Sequence, residues 1–216
     1  MKTEQTHRKA LPKKGIILAV VLVGGAIWLW KDVIEDRVIP KRWGVVEDGI
    51  IYRSGQLSSS LVKRVLAEHG IEVIVDLTGV EAGNEDQAAE RQAAEELGIE
   101  VKRFPLHGDG TGDIAHYIDA LSAVVEARDN GTPVLIHCAA GAQRTGGAVA
   151  FYRLLIERKS PSVVLKEMAR YDWNPRKDTI LLDYLDEHMA EMAAALKERG
   201  IIDEIPDPLP VMRPTP

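Results

Sequence analysis

The residues best placed to do chemistry lie in one ten-residue stretch, residues 137–146. It contains the single cysteine of the chain, Cys138, and Arg144 follows six positions later. A thiolate is a strong nucleophile, and the planar guanidinium of an arginine can bind two oxygens of one phosphate group. Together with the hydroxyl of Thr145, these residues predict nucleophilic attack on a phosphate-like anion.

The sequence on either side of this stretch predicts a strand, a tight loop and a helix. Residues 132–136 form the short apolar run of a buried parallel strand, and apolar residues at helical spacing follow Gly146. Loop amides and a helix N-terminus then point at one spot and bind an anion there. The predicted phosphate-binding residues are Ala139, Ala140, Gly141, Ala142, Gln143 and Arg144.

A cysteine at a strand end can also be only a small apolar core residue. The spacing of Gly141, Arg144 and Thr145 behind Cys138 favours catalysis instead. The stretch resembles the signature loop of the cysteine-dependent phosphatases, Cys-x5-Arg followed by Ser or Thr. That resemblance implies attack of Cys138 on phosphorus, a phosphocysteine intermediate and hydrolysis by water. His137 is expected to orient the loop by hydrogen bonds to backbone.

Composition limits the remaining possibilities. The chain has 216 residues and a net charge of −6, which argues against a general nucleic-acid binder. One cysteine cannot form an intramolecular disulfide, and no His, Cys or Asp cluster has the spacing of metal ligands, so we expect no metal and no cofactor. The sequence does not predict an oligomeric state.

The first 43 residues differ from the rest. Residues 1–14 form a basic tail, residues 15–30 carry no charge and include Trp28 and Trp30, and residues 31–43 suggest a linker. The uncharged run is somewhat shorter than the ~20 residues usual for a spanning helix, but flanking lysines can extend their charges to the interface. The run predicts an uncleaved transmembrane helix, with a cleaved signal peptide or a buried core helix as alternatives.

The basic tail predicts a cytoplasmic N-terminus, in a bacterial inner membrane, by the positive-inside rule. Positive residues after the run, such as Lys31 and Arg37, weaken that bias. The side of the membrane that the catalytic domain faces therefore stays open.

The next residues alternate between strand and helix patterns. A hairpin around Asp48 and Gly49 is followed by a helix capped among residues 58–60, a strand at 73–77, a helix at 84–97, a strand at 99–104 and a helix at 113–128. Helices at 146–158, 161–170 and 177–199 follow the signature loop. This order predicts an α/β fold with a mostly parallel central sheet and helices on both faces.

The order from residue 45 to 189 resembles the compact dual-specificity phosphatases, in particular bacterial and other atypical members. The resemblance implies a protein tyrosine phosphatase-like fold for a catalytic domain at residues 44–200, preceded by the transmembrane helix. The remaining residues, 201–216, hold five prolines and suggest a disordered tail.

The leaving group needs a general acid, which in this family is an Asp on a loop well before the cysteine. Asp109 lies on the corresponding loop, residues 104–113, and flanking glycines would let it swing over the site. Asp113 is the second candidate, although it is better explained as a helix cap. His107 is expected to line the pocket.

Other residues have weaker assignments. Arg53 could contact phosphate or form an internal salt bridge, and Asp76 is expected to be structural. Residues 171–176 lie between two helices where the family has a loop bordering the cleft, so they are a candidate substrate rim. Gln143 is a candidate for positioning the hydrolytic water.

The expected partner is a phosphorylated protein. Family members that act on inositol phosphates carry lysines inside the signature loop, whereas this chain has Ala139, Ala142 and Gln143. A singly phosphorylated Tyr, Ser or Thr is therefore favoured, with a phosphoinositide or other lipid headgroup as the alternative. The rival functions are a phosphate-binding pseudoenzyme and a rhodanese-like sulfurtransferase.

Overall fold

The computed structural model describes residues 22–25, 30 and 35–213. The chain divides into two compact units, residues 1–39 and 40–216. In the first unit, residues 22–25 and α1 (Glu35–Val38) are helical. Within the described ranges, no helix is both long and apolar enough to cross a membrane. Most of the anchor predicted at residues 15–30 lies outside the described residues, as does the basic tail.

The second unit is built on a five-stranded sheet in the order β1-β2-β5-β3-β4. β1 and β2 form an antiparallel hairpin, and the other three neighbouring pairs are parallel. The predicted hairpin and the mostly parallel sheet are therefore confirmed. The strands are β1 (Gly44–Glu47), β2 (Ile51–Gly55), β3 (Val73–Asp76), β4 (Glu100–Arg103) and β5 (Val134–Cys138).

Six helices and a π-helical turn complete this unit. Helices α2 and α3 cover one face of the sheet, and the elements from α4 onward cover the other. They are α2 (Val62–Glu68), α3 (Glu85–Leu97), α4 (Ile114–Asp129), α5 (Gln143–Phe151), a π-helix (Tyr152–Ile156), α6 (Pro161–Arg170) and α7 (Thr179–Glu198).

Alternation along the central strands builds the two cores. Side chains of Ile74 and Leu135 belong to the cluster under α2 and α3, whereas those of Val75 and Ile136 belong to the larger cluster under α4 to α7. Successive residues of a strand point to opposite faces, so a strand buried on both sides is apolar throughout. This explains the uninterrupted apolar runs that predicted β3 and β5.

Local signals explain both ends of α3. Asn84 accepts bonds from two backbone amides as the N-cap of α3, and Gly98 ends that helix in the left-handed conformation (φ 71°). α2 begins at Val62 with no side-chain cap, so the predicted serine cap at residues 58–60 is wrong. α5 begins at Gln143 rather than Gly146, which puts Arg144 and Thr145 in its first turn.

The C-terminal segment is not the disordered tail that its prolines suggested. Residues 201–213 form neither helix nor strand, yet Ile202 and Met212 are buried in the larger core. Asp186 of α7 accepts hydrogen bonds from the amides of Met212 and Arg213 at 2.6 and 2.9 Å. Apolar residues between the prolines therefore anchor this segment, and disorder is wrong for residues 201–213.

Candidate active site

The signature loop, residues 138–145, lies where three parallel strands end. Gly55 ends β2, Asp76 ends β3 and Cys138 ends β5, with Gly55 paired to Cys138 in the sheet register. The chain then turns through residues 139–142 into α5. Carboxyl ends of neighbouring parallel strands form one edge, which is where ligands bind in open α/β sheets.

Close backbone packing sets the shape of this loop. Gly141 has φ 81°, and a Cβ there would lie 2.5 Å from the Gly55 nitrogen and 2.8 Å from the Ser54 carbonyl carbon. Only glycine fits both the conformation and the space. From β2, Arg53 donates a hydrogen bond to the Gly141 carbonyl at 2.6 Å, and the Gln56 amide donates to the Ala139 carbonyl at 3.1 Å. The loop is thus supported from below by β2.

The Cys138 thiol receives several hydrogen bonds. It is buried, and the Gly141 amide lies 3.1 Å from its sulfur. Burial raises the pKa of Cys138, but hydrogen bonds from the Thr145 hydroxyl and amide, the charge of Arg144 and the Gly141 amide together outweigh burial. The net pKa is lowered, which favours the nucleophilic thiolate.

Arg144 and Thr145 reach the site from the first turn of α5. Thr145 is fully buried, and its hydroxyl also lies 3.4 Å from the Ser54 carbonyl oxygen. Arg144 donates from one terminal nitrogen to the Leu77 carbonyl at 3.4 Å. Its buried Nε has no hydrogen-bond partner among the described residues. The guanidinium therefore keeps donor capacity for an anion.

His137 has a different partner from the one predicted. Its imidazole does not bond backbone in the described part of the chain; Nε2 lies 3.2 Å from a Glu90 carboxylate oxygen and 4.0 Å from Asp76. The reason is that α3 presents a polar face to this side of the sheet, including Gln87 and Glu90.

Asp76, Glu90 and His137 offer donor atoms within 4.8 Å of one another, a grouping that their spacing in the sequence did not predict. It is a possible set of metal ligands by geometry alone. Arg103 already pairs with Asp76 at 2.7 Å, and His137 pairs with Glu90. Each of the two carboxylates therefore has a nitrogen atom of another side chain within 3.2 Å.

The acid loop, residues 104–113, lies beside the signature loop. A Cβ at Gly110 would be 3.3 Å from the Gln143 carbonyl carbon. Asp109 accepts hydrogen bonds from the Thr111 amide at 2.9 Å and the Thr111 hydroxyl at 2.8 Å. These two bonds lower the pKa of Asp109, so the carboxylate is the favoured form in this conformation. Asp109 is exposed.

The other candidates on the acid loop have local partners. Asp113 accepts a hydrogen bond from the Ala115 amide at 2.9 Å as the N-cap of α4, which confirms the predicted capping role. His107 is exposed, with Nδ1 3.2 Å from the Thr111 hydroxyl. Asp109 is therefore the carboxylate of this loop that does not cap a helix.

The candidate rim lies on the far side of the signature loop. Asp172 (φ 63°) pairs with Arg42 at 2.9 Å, and Arg42 donates to the Ala140 carbonyl at 2.7 Å. The Tyr171 ring stacks on the Arg53 guanidinium at 3.9 Å. Residues 171–172 therefore border the signature loop, and Arg42, which we expected in the linker, contacts it directly.

Two buried tyrosines that we did not predict hold the acid loop. The Tyr117 hydroxyl donates to the Gly110 carbonyl at 2.7 Å and lies 3.5 Å from the Arg144 carbonyl. The Tyr184 hydroxyl donates to the Gly112 carbonyl at 3.0 Å. In the sequence both residues are part of apolar helical faces, which does not reveal a polar role.

We did not predict a role for Glu90 either, although the sequence contains a pattern that indicates a buried polar role. Gln87, Glu90 and Ala94 are three and four positions apart, and all three are buried on one face of α3. Two polar residues on the inner face of an amphipathic helix indicate buried polar partners elsewhere in the fold.

A protein-family model matches most of this chain. Residues 27–179 match the model of a family described as "DSP-PTPase phosphatase fused to NAD+ Kinase". Among curated proteins, dual specificity protein phosphatase OPG106 of Vaccinia virus (strain Copenhagen) is 38% identical over 68 residues, which is 31% of this chain and 39% of the viral protein. A Monkeypox virus relative with the same description is 37% identical over 68 residues, 31% of this chain and 39% of the relative. The chain thus spans about two fifths of the length of these viral relatives.

Solved structures show the same fold at low identity. P. aeruginosa TpbA is 22% identical, with a TM-score of 0.58 over 72% of this chain and 91% of that chain. The core catalytic domain of the S. cerevisiae PP-IP phosphatase SIW14, in complex with citrate, is 19% identical, with a TM-score of 0.57 over 74% and 94%.

Proposed function

Because this chain belongs to the DSP-PTPase phosphatase family, as its signature loop predicted, we propose that it hydrolyses phosphomonoesters through a phosphocysteine intermediate. One observation carries the proposal. Cys138 ends β5, its sulfur receives a hydrogen bond from the Gly141 amide, and the charge of Arg144, six residues on in the first turn of α5, helps to lower the pKa of the thiol. A nucleophile and an anion clamp therefore meet at one strand end.

The proposed reaction has two steps. The Cys138 thiolate attacks phosphorus, the P–O bond to the leaving group breaks, and Asp109 supplies the proton to the leaving oxygen. Water then attacks the phosphocysteine and gives a proton to the Asp109 carboxylate, the P–S bond breaks, and phosphate and the Cys138 thiolate are released. The loop amides at residues 139–143 and the Arg144 guanidinium bind the equatorial oxygens, while Thr145 stabilises the thiolate. Gln143 is proposed to position the water.

We propose singly phosphorylated Tyr, Ser or Thr in proteins as the substrate class. Arg42 and Arg53, the arginines bound to the signature loop from outside it, both donate to its carbonyl oxygens, at Ala140 and Gly141. Engaged in this way, they support the loop rather than a second phosphate. A phosphoinositide or other lipid headgroup is the alternative, because the membrane anchor predicted at residues 15–30 would hold the catalytic domain close to lipids.

We also propose that residues 15–30 anchor the catalytic domain in a bacterial inner membrane, with residues 1–14 in the cytoplasm. The support is the uncharged run itself, together with the exposure of its apolar residues Leu22 and Val23, at 64% and 58%. Two arginines in place of Leu22 and Val23 should release the protein from membranes washed at alkaline pH. Val38→Arg, outside the run, should not. Retention of the double variant on the membrane would contradict the anchor.

The nucleophile is tested by Cys138→Ser. Hydrolysis of p-nitrophenyl phosphate should fall to background, while inorganic phosphate should still bind, because the loop amides and Arg144 remain. Thr132→Ser, two residues before the start of β5, should keep full activity. A parallel thiosulfate assay separates a sulfurtransferase, and a wild-type protein that binds phosphate without turnover would be the pseudoenzyme. Appreciable turnover by Cys138→Ser would exclude the covalent mechanism.

A further inference from the structure

A short segment before the first strand, residues 40–43, lies against the signature loop, and we call it the strap. The carbonyl of Lys41 accepts a hydrogen bond from the Gly55 amide, at the end of β2, with a length of 2.7 Å. The ring of Trp43 stacks on the Tyr52 ring of β2, with 5.4 Å between the ring centroids. The strap is therefore fixed to β2 on both sides of the residue that lies between these two contacts.

That residue, Arg42, extends from the strap to the signature loop. Its Nη1 donates to the Ala140 carbonyl at 2.7 Å, and its Nε donates to the Asp172 carboxylate at 2.9 Å. The Arg42 side chain is 26% exposed, whereas that of Asp172 is 70% exposed. An ion pair with so exposed a partner stabilises a fold only slightly. Its main effect is to orient the planar guanidinium, which donates in fixed directions.

The backbone of both paired residues is unusual. Arg42 has φ 46° and Asp172 has φ 63°, so both lie in the left-handed region although neither is glycine. Aspartate adopts this conformation more readily than a long side chain such as arginine. An unfavourable backbone conformation that the surrounding contacts maintain is a sign of a functional constraint. Here the maintained contact is the one between Arg42 and the signature loop.

The Ala140 carbonyl sets the direction of an amide in the site. This carbonyl and the Gly141 N–H belong to one trans peptide unit, so they point in opposite directions. With the carbonyl bonded by Arg42, the amide faces the Cys138 sulfur at 3.1 Å. The two neighbouring carbonyls of the loop are bonded from β2 and from the residue after it. The Ala140–Gly141 peptide is thus the one that the strap bonds.

We propose that Arg42 is a positioning residue for the signature loop: oriented by Asp172, it holds the Ala140 carbonyl outward so that the Gly141 amide faces Cys138 and the bound phosphate. The proposal deepens the proposed function and rests on phosphate binding in this loop. If this peptide rotated, it would present a carbonyl oxygen to the anion in place of a donor. A residue that precedes the first strand therefore completes the anion site.

The test measures phosphate binding without turnover. Inorganic phosphate should protect Cys138 of the full chain from alkylation by iodoacetamide, and the half-protecting phosphate concentration is measured. Arg42→Met has a similar length but no donor, so the peptide is free to rotate. The half-protecting concentration should rise about tenfold or more, because the phosphate loses a hydrogen bond to a charged group. An unchanged concentration would overturn the proposal.

Arg42→Lys separates the geometry from the charge. Lysine keeps the positive charge but lacks the planar fork that bonds Ala140 and Asp172 together. It should therefore recover only part of the phosphate affinity that Arg42→Met loses. Full recovery by lysine would show that a nearby charge is sufficient, and the positioning role would be wrong.

A double variant shows whether Asp172 acts through Arg42. Asp172→Asn keeps the size and tolerates the same backbone conformation, and it should raise the half-protecting concentration about two- to fivefold. In the Arg42→Met background it should add nothing, because the guanidinium that it orients is gone. A further rise in that background would contradict the relay. The matched control is Asp119→Asn, which breaks an exposed ion pair with Arg199 of 2.7 Å and should change nothing.

Stability and turnover are measured alongside. A lower melting temperature in Arg42→Met, with the half-protecting concentration of the wild type, would make the pair merely structural and overturn the inference. Protection from alkylation does not depend on catalysis. A wild-type chain that shows the expected protection, and loses it in Arg42→Met, but hydrolyses no phosphomonoester would therefore refute the proposed function and leave this inference standing.

Discussion

The signature loop and the acid loop face the same site but are held in opposite ways. The first is supported from beneath by buried groups of β2 and of the residue that follows β3: Arg53 donates to the Gly141 carbonyl, and the Leu77 carbonyl accepts a bond from Arg144. The base of the second is fixed by bonds from the Phe104 and Leu106 amides to Asp76 and Leu77. Its tip, residues 107–112, bonds mainly to itself, with Asp109 bound to Thr111, and Tyr117 and Tyr184 bond this tip at two glycine carbonyls.

The two loops have different chemical roles, and each role requires a different degree of rigidity. A phosphate cradle works best when its donors are fixed before the substrate arrives. A general acid must first take up a proton, and the bonds from Thr111 lower the pKa of Asp109. To act as the acid, Asp109 would have to leave Thr111 when the substrate binds. A loop tip that is bonded to the rest of the fold through two tyrosine hydroxyls permits that movement more easily than a loop packed from beneath.

The largest effect is expected from a substitution that disrupts the packing of the signature loop. Gly141→Ala puts a methyl group against the Gly55 nitrogen and the Ser54 carbonyl carbon, and requires alanine at φ 81°. Neither neighbour is a flexible side chain, so the loop backbone must move. We expect about a 10²-fold loss of kcat on p-nitrophenyl phosphate, together with a lower melting temperature.

The control for this variant is Gly146→Ala, three residues into α5. A Cβ at Gly146 meets nothing within 4 Å, and alanine is the better helix former. Its melting temperature should be unchanged or higher. If Gly141→Ala keeps wild-type kcat, the signature loop is not the rigid partner in the comparison.

The second effect removes the proposed proton donor. Asp109→Asn preserves size but cannot protonate the leaving oxygen. With a serine or threonine phosphopeptide, whose alkoxide leaves poorly, we expect about a 10²-fold loss of kcat/KM. With p-nitrophenyl phosphate the loss should be under about tenfold. Activity that needs protonated Asp109 falls as pH rises through its pKa, so the variant should lose the alkaline limb on the poor substrate.

Asp113→Asn is the matched control, because asparagine is an equally good helix cap. It should lower activity equally, and only slightly, on both substrates. A leaving-group dependence in Asp113→Asn, with none in Asp109→Asn, would exchange their roles.

The same comparison shows why the sequence predicted the residues of the signature loop better than the long-range contacts around the site. Cys138, Arg144 and Thr145 are close in the chain and set in a strand-loop-helix unit, so their meeting follows from local geometry. The partner of His137 is 47 residues away by chain number, on the inner face of α3. Tyr117 and Tyr184 resemble ordinary core residues until α4 and α7 are packed. Long-range pairing decides such contacts. A local pattern such as Gln87 and Glu90 on one face of α3 indicates that a buried polar partner exists, but not which residue it is.

The smallest effect tests how loosely the acid loop is held. Tyr184→Phe deletes the hydroxyl that donates to the Gly112 carbonyl and leaves the ring in the core. One neutral hydrogen bond contributes about 0.5–1.5 kcal/mol, so a melting-temperature decrease of a few degrees is expected. If Gly112 helps to place Asp109, kcat on a phosphoserine peptide should fall about two- to fivefold, while kcat on p-nitrophenyl phosphate should hardly change.

The control is Tyr152→Phe, whose hydroxyl bonds Glu47 at the opposite end of the sheet. That variant should lose stability without distinguishing the two substrates. If Tyr184→Phe behaves in the same way, the Tyr184 hydroxyl stabilises the fold and does not position Asp109.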